Sequence, residues 1–459
     1  MQSAGRPDTL IAMPSRDKKA SSAKGSPFSK ESPRKTSKRI GAADHGRKPL
    51  QPARRLELAE PAAVISRRAC DRLRAGHVWV YKSDIEQVVA SEGDSGLLPV
   101  LDNRGIPMGT ALYSGSSQIA LRLISRKIIE DQEWLEMVRS RLIAAVGRRQ
   151  PIHSVKGTDS CRLVFSEGDD LPGLIADKYG DLIILQLLTR AMDRPEIREI
   201  VVEVFREKLS PAAIVERPDA RIRELEEMGA PSQEPLFTAN PREEITSTIF
   251  NLNGLRFLYD LNTGQKTGAF LDQRENYLAA TRYTKGDALD ICCYQGGFAL
   301  HLARVCKRVT GIDASRSALE VADRNLALNA GLPAEVDWME ANAFDLLRDW
   351  SSEGPAYDTI VLDPPAFAKS QRAVEGALRG YKELNLRAMK LLRPGGTLIT
   401  CSCSHHVSVE DFTAIVSAAA GDAGRRVRLL ERRGASGDHP VQLTIPETEY
   451  LKCMICEVE

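Results

Sequence analysis

Across residues 62–128, short apolar runs alternate with turn residues. The segments 77–81 (HVWVY), 97–102 (LLPVLD), 109–114 (GTALYS) and 119–124 (IALRLI) have the period and composition that predict strands. Asn103-Arg104-Gly105 and Ser114-Gly115 predict turns between them. A small β-rich domain, expected as a β-barrel over 56–130, follows from this pattern. The periodicity then changes. WLEMVRSRLIAAV places apolar residues at helical spacing and predicts a helix over 131–150. Strands at 161–167, 173–180, 181–188 and 212–217, with a helix at 195–208, predict a second α+β unit over 131–250. From 251 to 459, strands and helices alternate, which predicts an α/β domain with a parallel sheet covered on both faces.

Charge adds a separate segment. Residues 1–55 carry 14 Lys and Arg against 4 Asp and Glu, a net of +10, so the remaining chain is −9 against a total of +1. This stretch is rich in Ser, Lys, Arg, Gly and Pro and is expected to be a disordered basic leader. It suits attraction to a polyanion such as nucleic acid, or it is a solvated leader with no further role. The chain has no run of 18 apolar residues, which excludes a transmembrane helix and any call on a membrane partner. Its start has no apolar core of a secretory signal. Nine cysteines spread from Cys70 to Cys456 do not form a disulfide framework, and a cytoplasmic location is expected.

Three segments carry chemistry. In 287–305 (DALDICCYQGGFALHLARV) a buried strand runs into Gly296 and Gly297 and then a helix, which lets backbone approach a ligand at the strand's carboxyl end. The next strand, 308–313, ends in Asp313, the place for an acid that accepts from ribose hydroxyls. The full G-x-G-x-x-G pattern is absent, which disfavours NAD and leaves room for another nucleoside cofactor. In 357–370 a buried strand delivers Asp363 to a turn stiffened by Pro364 and Pro365, a loop able to hold a flat base, or else a stiff connection. In 395–407 (GGTLITCSCSHHV) Cys401 and Cys403 are two apart on a predicted strand and so share a side. They are nucleophile candidates, or small buried apolar residues. With His405 and His406 they match no usual zinc spacing, and no metal is expected. Cys453 and Cys456 read as core. Arg67, Arg68, Arg72, Arg74 and Lys82 give the first domain a basic rim, suited to an RNA backbone or to ordinary solvation.

Together, NTGQKTGAFLDQREN (262–276), the glycine turn, Asp313, DPPAF (363–367), RGYKELN (379–385), TCSCS (400–404) and DHPVQLTIPETEYLK (438–452) resemble a known family. It is the PUA-containing bacterial 23S rRNA methyltransferases that make 5-methylcytosine. The resemblance covers roughly residues 60–459. It implies a PUA-like RNA-binding domain, a central α+β domain and a class I, Rossmann-like methyltransferase domain using S-adenosylmethionine. By the same resemblance the cofactor lies over the turn that includes Asp290, Cys292 and Gly296. Asp313 holds the ribose, Asn342 stands near the adenine, and Phe270 and Gln273 close one side with Asp363. Cys403 aligns with the family's nucleophile for C6, and Asp363 binds the cytosine edge as a protonated acid at N3. Arg67, Arg68, Arg72 and Lys82 contact RNA. The partner is 23S rRNA or a large-subunit precursor, and a homodimer is the assembly to test.

One departure is plain. Many RNA cytosine-C5 methyltransferases have a second cysteine after the proline of this loop, and here that position is Ala366. The C5 proton must then leave to water or another group, with Cys401 a candidate by proximity. Two alternatives follow: methylation of a base nitrogen without a cysteine, and an RNA-binding assembly factor with a vestigial pocket.

Overall fold

Residues 60–90, 96–229, 234–242, 245–261, 269–368 and 370–459 are described in a computed structural model of the chain. The expected leader and residues 262–268 of the family-like stretch lie outside them. The 62–125 region folds as one six-stranded sheet, mostly antiparallel, around a core of Ile65, Leu73, Val80, Val100 and Leu121. The four expected strands are present. So is a helix, Arg67–Arg74, that the alternation did not predict. Ser66 caps it, its hydroxyl accepting from the Ala69 N–H, and Ala69, Cys70 and Leu73 face inward.

The next region is a five-stranded sheet covered by helices Asp131–Arg148 and Pro195–Leu209. Trp134, Val138 and Leu142 and then Ile197, Val201 and Phe205 supply the apolar stripes that pack between them and the sheet. A hairpin of Ser247–Leu252 and Leu255–Asp260 follows. Its Phe250, Phe257 and Tyr259 join Tyr179 of the five-stranded sheet and Tyr277 and Phe298 of the last region in a single core. Tyr179 and Tyr259 stack with centroids 4.4 Å apart.

The last region holds a seven-stranded sheet, labelled here β1 (Asp287–Ile291), β2 (Arg308–Asp313), β3 (Glu335–Glu340), β4 (Tyr357–Leu362), β5 (Leu392–Ser402), β6 (Val427–Arg433) and β7 (Lys452–Val458). Their order is β3-β2-β1-β4-β5-β7-β6. All neighbours are parallel except β7, which is antiparallel to both β5 and β6. The order reverses between β1 and β4. A crevice outside the carboxyl ends of these two strands is where such sheets bind ligands. Among the described residues no helix is long and apolar enough to cross a membrane.

Candidate active site

The carboxyl ends of β1, β2 and β4 bring three acids together. Asp290 is buried in β1, and its Oδ2 accepts from the Ala299 N–H at 2.8 Å while Oδ1 has no hydrogen-bond partner. Burial, then the neighbouring Asp363 and Asp313, pushes Asp290 up to about 8. Asp313 ends β2 and accepts the Tyr294 N–H at 3.0 Å and the Ser315 N–H at 2.8 Å, one on each oxygen. Each oxygen keeps a second lone pair for a ribose hydroxyl.

The turn after β1 is strained where it faces this crevice. Cys292 (φ 63°) and Tyr294 (φ 49°) take left-handed backbone conformations, which L side chains adopt at a cost. Gly296 also sits there (φ 84°), and a Cβ on it would stand 2.9 Å from the Trp338 ring. Cys292 is partly buried, and burial followed by Asp313 pushes its thiol well up, so it lies in the turn as a neutral group. Phe270 meets Tyr294 edge-on at 5.1 Å and borders the same crevice. Asn342 caps helix Ala343–Glu353, its Oδ1 accepting from the Phe344 and Asp345 N–H groups at 2.9 and 3.3 Å. That capping leaves the amide N–H₂ as the group free to meet a ring nitrogen.

Asp363 follows β4, and its N–H still bonds to Ile291 of β1. Its Oδ2 accepts from Gln273 Nε2 at 3.0 Å. Gln273 is 2 % exposed, and its own oxygen accepts from Asn276 at 2.7 Å, so the amide orientation is fixed. Burial, then the nearby Asp272, pushes Asp363 up to about 7. The loop's far end is tied down as well. The Ala368 N–H donates to Ser404 Oγ at 3.2 Å, and Ser404 Oγ lies 3.0 Å from the Tyr381 hydroxyl.

Ladder pairing in β5 ends at Ser402, so the two cysteines of this segment part company. Cys401 is fully buried against Cys453, its register partner in β7. Burial, then Cys453, pushes its thiol well up, the opposite of what a base for the C5 proton requires. Cys403 lies one residue past the strand, partly exposed, with Sγ 3.8 Å from the Pro364 carbonyl. The nucleophile candidate and the Asp-Pro-Pro loop therefore touch.

Sequence reasoning singled out neither Tyr450 nor Asp438 by itself. The Tyr450 hydroxyl donates to Asp272 Oδ2, and its ring stacks on His405 at 5.2 Å. Asp438 is fully buried. Its carboxylate accepts from the Arg162 N–H at 2.9 Å and meets Arg274 at 3.3 Å, while its carbonyl accepts from Arg149 at 2.7 Å. The 438–452 stretch thus bolts the Gln273 segment to the five-stranded region. The cation candidates of the first domain differ in kind. Arg67 is exposed, Arg68 is exposed and pairs with Asp84 at 3.1 Å, and Lys82 is exposed with its ammonium 2.9 Å from the Gly115 carbonyl. Arg72 spends its guanidinium on Asp84 at 2.8 Å and on the Trp79 carbonyl.

Three comparisons fit this geometry. Residues 215–439 match an S-adenosylmethionine-dependent methyltransferase family, and 64–126 match a PUA-like domain. The ribosomal RNA large subunit methyltransferase I of Shewanella amazonensis is 35 % identical over 388 residues, 83 % of this chain and 95 % of that protein. The chain belongs to the ribosomal RNA large subunit methyltransferase I family. The protein of the same name from Klebsiella pneumoniae strain 342 is 33 % identical over 402 residues, 87 % of this chain and 98 % of that one. A methyltransferase from Streptococcus mutans has the same fold with a TM-score of 0.73 at 20 % identity, over 87 % of this chain and all of the other. A methyltransferase structure complexed with SAH matches equally, at 0.73 and 19 %.

The chain is an S-adenosylmethionine-dependent methyltransferase. Its residues suit that cofactor. A buried Asp290, raised further by the neighbouring Asp363 and Asp313 and left with an orphaned oxygen, calls for a ligand carrying positive charge. S-adenosylmethionine carries two, an ammonium and a sulfonium.

Proposed function

We propose that the enzyme methylates C5 of a cytosine in 23S ribosomal RNA through a covalent bond from Cys403 to C6. The substrate class follows from the relatives, which are named for large-subunit ribosomal RNA, and from the PUA-like domain. The observation that carries the chemistry is the approach of Cys403 Sγ to the Pro364 carbonyl, one residue from Asp363. Cys403 and Cys292 are the two cysteines that are not buried, and only Cys403 lies against this loop.

Cytosine C5 is a poor nucleophile until a thiolate adds to C6. In this mechanism Cys403 Sγ forms the bond to C6. Asp363, still protonated near neutrality, gives its proton to N3 as electrons leave the ring double bond. C5 then has enamine character. S-adenosylmethionine, when bound, supplies the electrophilic methyl group for it. Water takes the C5 proton in place of the cysteine that Ala366 replaces, and expulsion of the Cys403 thiolate restores the ring double bond as N3 returns its proton to Asp363. The base must leave its stack to expose C6. Gln273, fixed by Asn276, orients Asp363.

The test uses unmodified 23S rRNA, S-adenosylmethionine and the full-length protein, with nucleosides identified by mass spectrometry. The reading expects 5-methylcytosine, lost in Cys403→Ala. RNA carrying 5-fluorocytosine, which has no C5 proton to release, should trap a protein–RNA adduct. A methylated nitrogen, or undiminished product from Cys403→Ala, sinks it.

A further inference from the structure

We propose that Lys452 is a positioning residue that holds Cys403 as a thiolate, so that the nucleophile is armed near neutral pH. This rests on the reading of Cys403 as the nucleophile.

The geometry is a bracket. The Lys452 backbone pairs with Ser402, one residue before Cys403. Its ammonium donates to the carbonyl of Ser404, one residue after Cys403, at 2.7 Å, and to the Tyr450 carbonyl at 2.8 Å. The side chain therefore spans the cysteine from one flank to the other. Lys452 is 4 % exposed, and no carboxylate among the described residues lies within ion-pair distance of it. A buried charge is normally paired, and an unpaired one is costly to hold. Two carbonyl dipoles offset part of that cost, and one N–H of three has no acceptor among the described residues. An anion near that ammonium would complete the set, and Cys403, flanked by the two residues that the lysine engages, is the group able to supply it.

Other groups around the thiol are compatible. The Pro364 carbonyl contacts the thiol, and Tyr381 and Tyr450 lie near enough for its charge to bear on them. Burial pushes both tyrosines up, so they stay neutral. Asp272 lies behind Tyr450, and His405 stacks on that ring. Asp363, one residue from Pro364, opposes a thiolate less for being held up to about 7. Glu449 acts on Lys452 from a distance. Burial brings the Lys452 ammonium down to about 8, against the pull of Cys403 and Glu449, which leaves it mostly charged at pH 7.

The experiment is alkylation of the full-length protein by iodoacetamide across pH 5.5–10, from roughly three units below the ordinary thiol value to about one and a half above it. Modification of Cys403 is followed by peptide mass spectrometry in wild type, Lys452→Met and Lys452→Arg, each checked by a thermal melt. Wild type should react at pH 7 about tenfold or more faster than Lys452→Met, and Lys452→Arg should recover most of the rate. Equal pH dependence in folded wild type and Lys452→Met overturns the proposal. If Lys452→Met does not fold, the wild-type profile decides: a midpoint below the ordinary thiol value of about 8.5 supports it, and one at or above overturns it. The 5-fluorocytosine adduct reports separately on the nucleophile. An adduct with an unshifted midpoint sinks only the lysine's role; a low midpoint without an adduct sinks only the cytosine chemistry.

Discussion

Gln273 donates to Asp363 at 3.0 Å while its own oxygen is held by Asn276 at 2.7 Å, so the amide bonded to the proposed catalytic acid cannot turn. That bond favours the carboxylate and works against the burial that raises Asp363 to about 7. A reaction that needs the protonated acid loses rate as pH rises through that value. Gln273→Leu removes the bond and should move this alkaline limb to higher pH, and lower kcat by about tenfold or more through lost orientation. Profiles of kcat/KM against pH for both proteins check it. A limb that does not move would mean that Asp363 is not the titrating acid.

Asp290, as a cofactor-site residue, should make cofactor binding depend on pH. The free enzyme holds a proton there up to about pH 8, and a cationic ligand favours its release. Affinity for S-adenosylmethionine should therefore rise between pH 6 and 8.5, roughly the window below and across that value, with proton release measurable by calorimetry in two buffers. Stability moves the other way. The folded value of about 8 lies above the unfolded 3.8, so the folded state holds more protons in between, and stability falls as pH rises through this window. Asp290→Asn should thus melt higher than wild type at pH 8, with the gain shrinking toward pH 4, while binding cofactor more weakly. A pH-independent affinity would remove Asp290 from the cofactor site.

Much of this was legible in the sequence, and the failures have physical reasons. A strand with a strong apolar run, such as β4, was read from its composition because both faces of a central parallel strand are covered. Helix Arg67–Arg74 was missed because only Ala69, Cys70 and Leu73 face inward, and four arginines and Asp71 occupy the rest. The two cysteines of TCSCS share a side only while the strand lasts, and it ends between them. Gln273, Asp363 and Cys403 came from motifs, but their mutual contacts depend on segments up to 130 residues apart meeting at one sheet edge. Lys452 gave no signal as one lysine among many, since only burial makes its charge unusual.

Asp438 should matter for stability more than for chemistry. Burial pushes its carboxyl up, but His439, Arg274 and the Arg162 N–H outweigh this and hold it down to about 2. Against an unfolded value of 3.8 that is worth about 2 kcal/mol, present above pH 4 and lost as pH falls toward the folded value. Asp438→Asn should cost about that much in urea unfolding at pH 7. The gap to wild type should narrow below pH 4. A gap that stays constant with pH would assign the loss to packing and not to charge.

Cys401 and Cys403 offer the sharpest contrast, because they differ by two positions and by everything that governs a thiol. Cys401 is sealed between Cys453 and the aromatic core, with its thiol driven well up by burial. Removing its sulfur leaves a small cavity and costs about 1 kcal/mol. Cys403 is partly exposed beside Pro364, so its removal costs little packing but takes the attacking atom. Cys401→Ala should therefore lower the melting temperature and keep kcat within about tenfold of wild type. Cys403→Ala should melt like wild type and lose about a thousandfold or more in turnover, as expected when a covalent route is removed. Parallel melts and single-turnover methylation of the same RNA measure both. If the two variants exchange these phenotypes, Cys401 is the nucleophile and the loop contact of Cys403 is only packing.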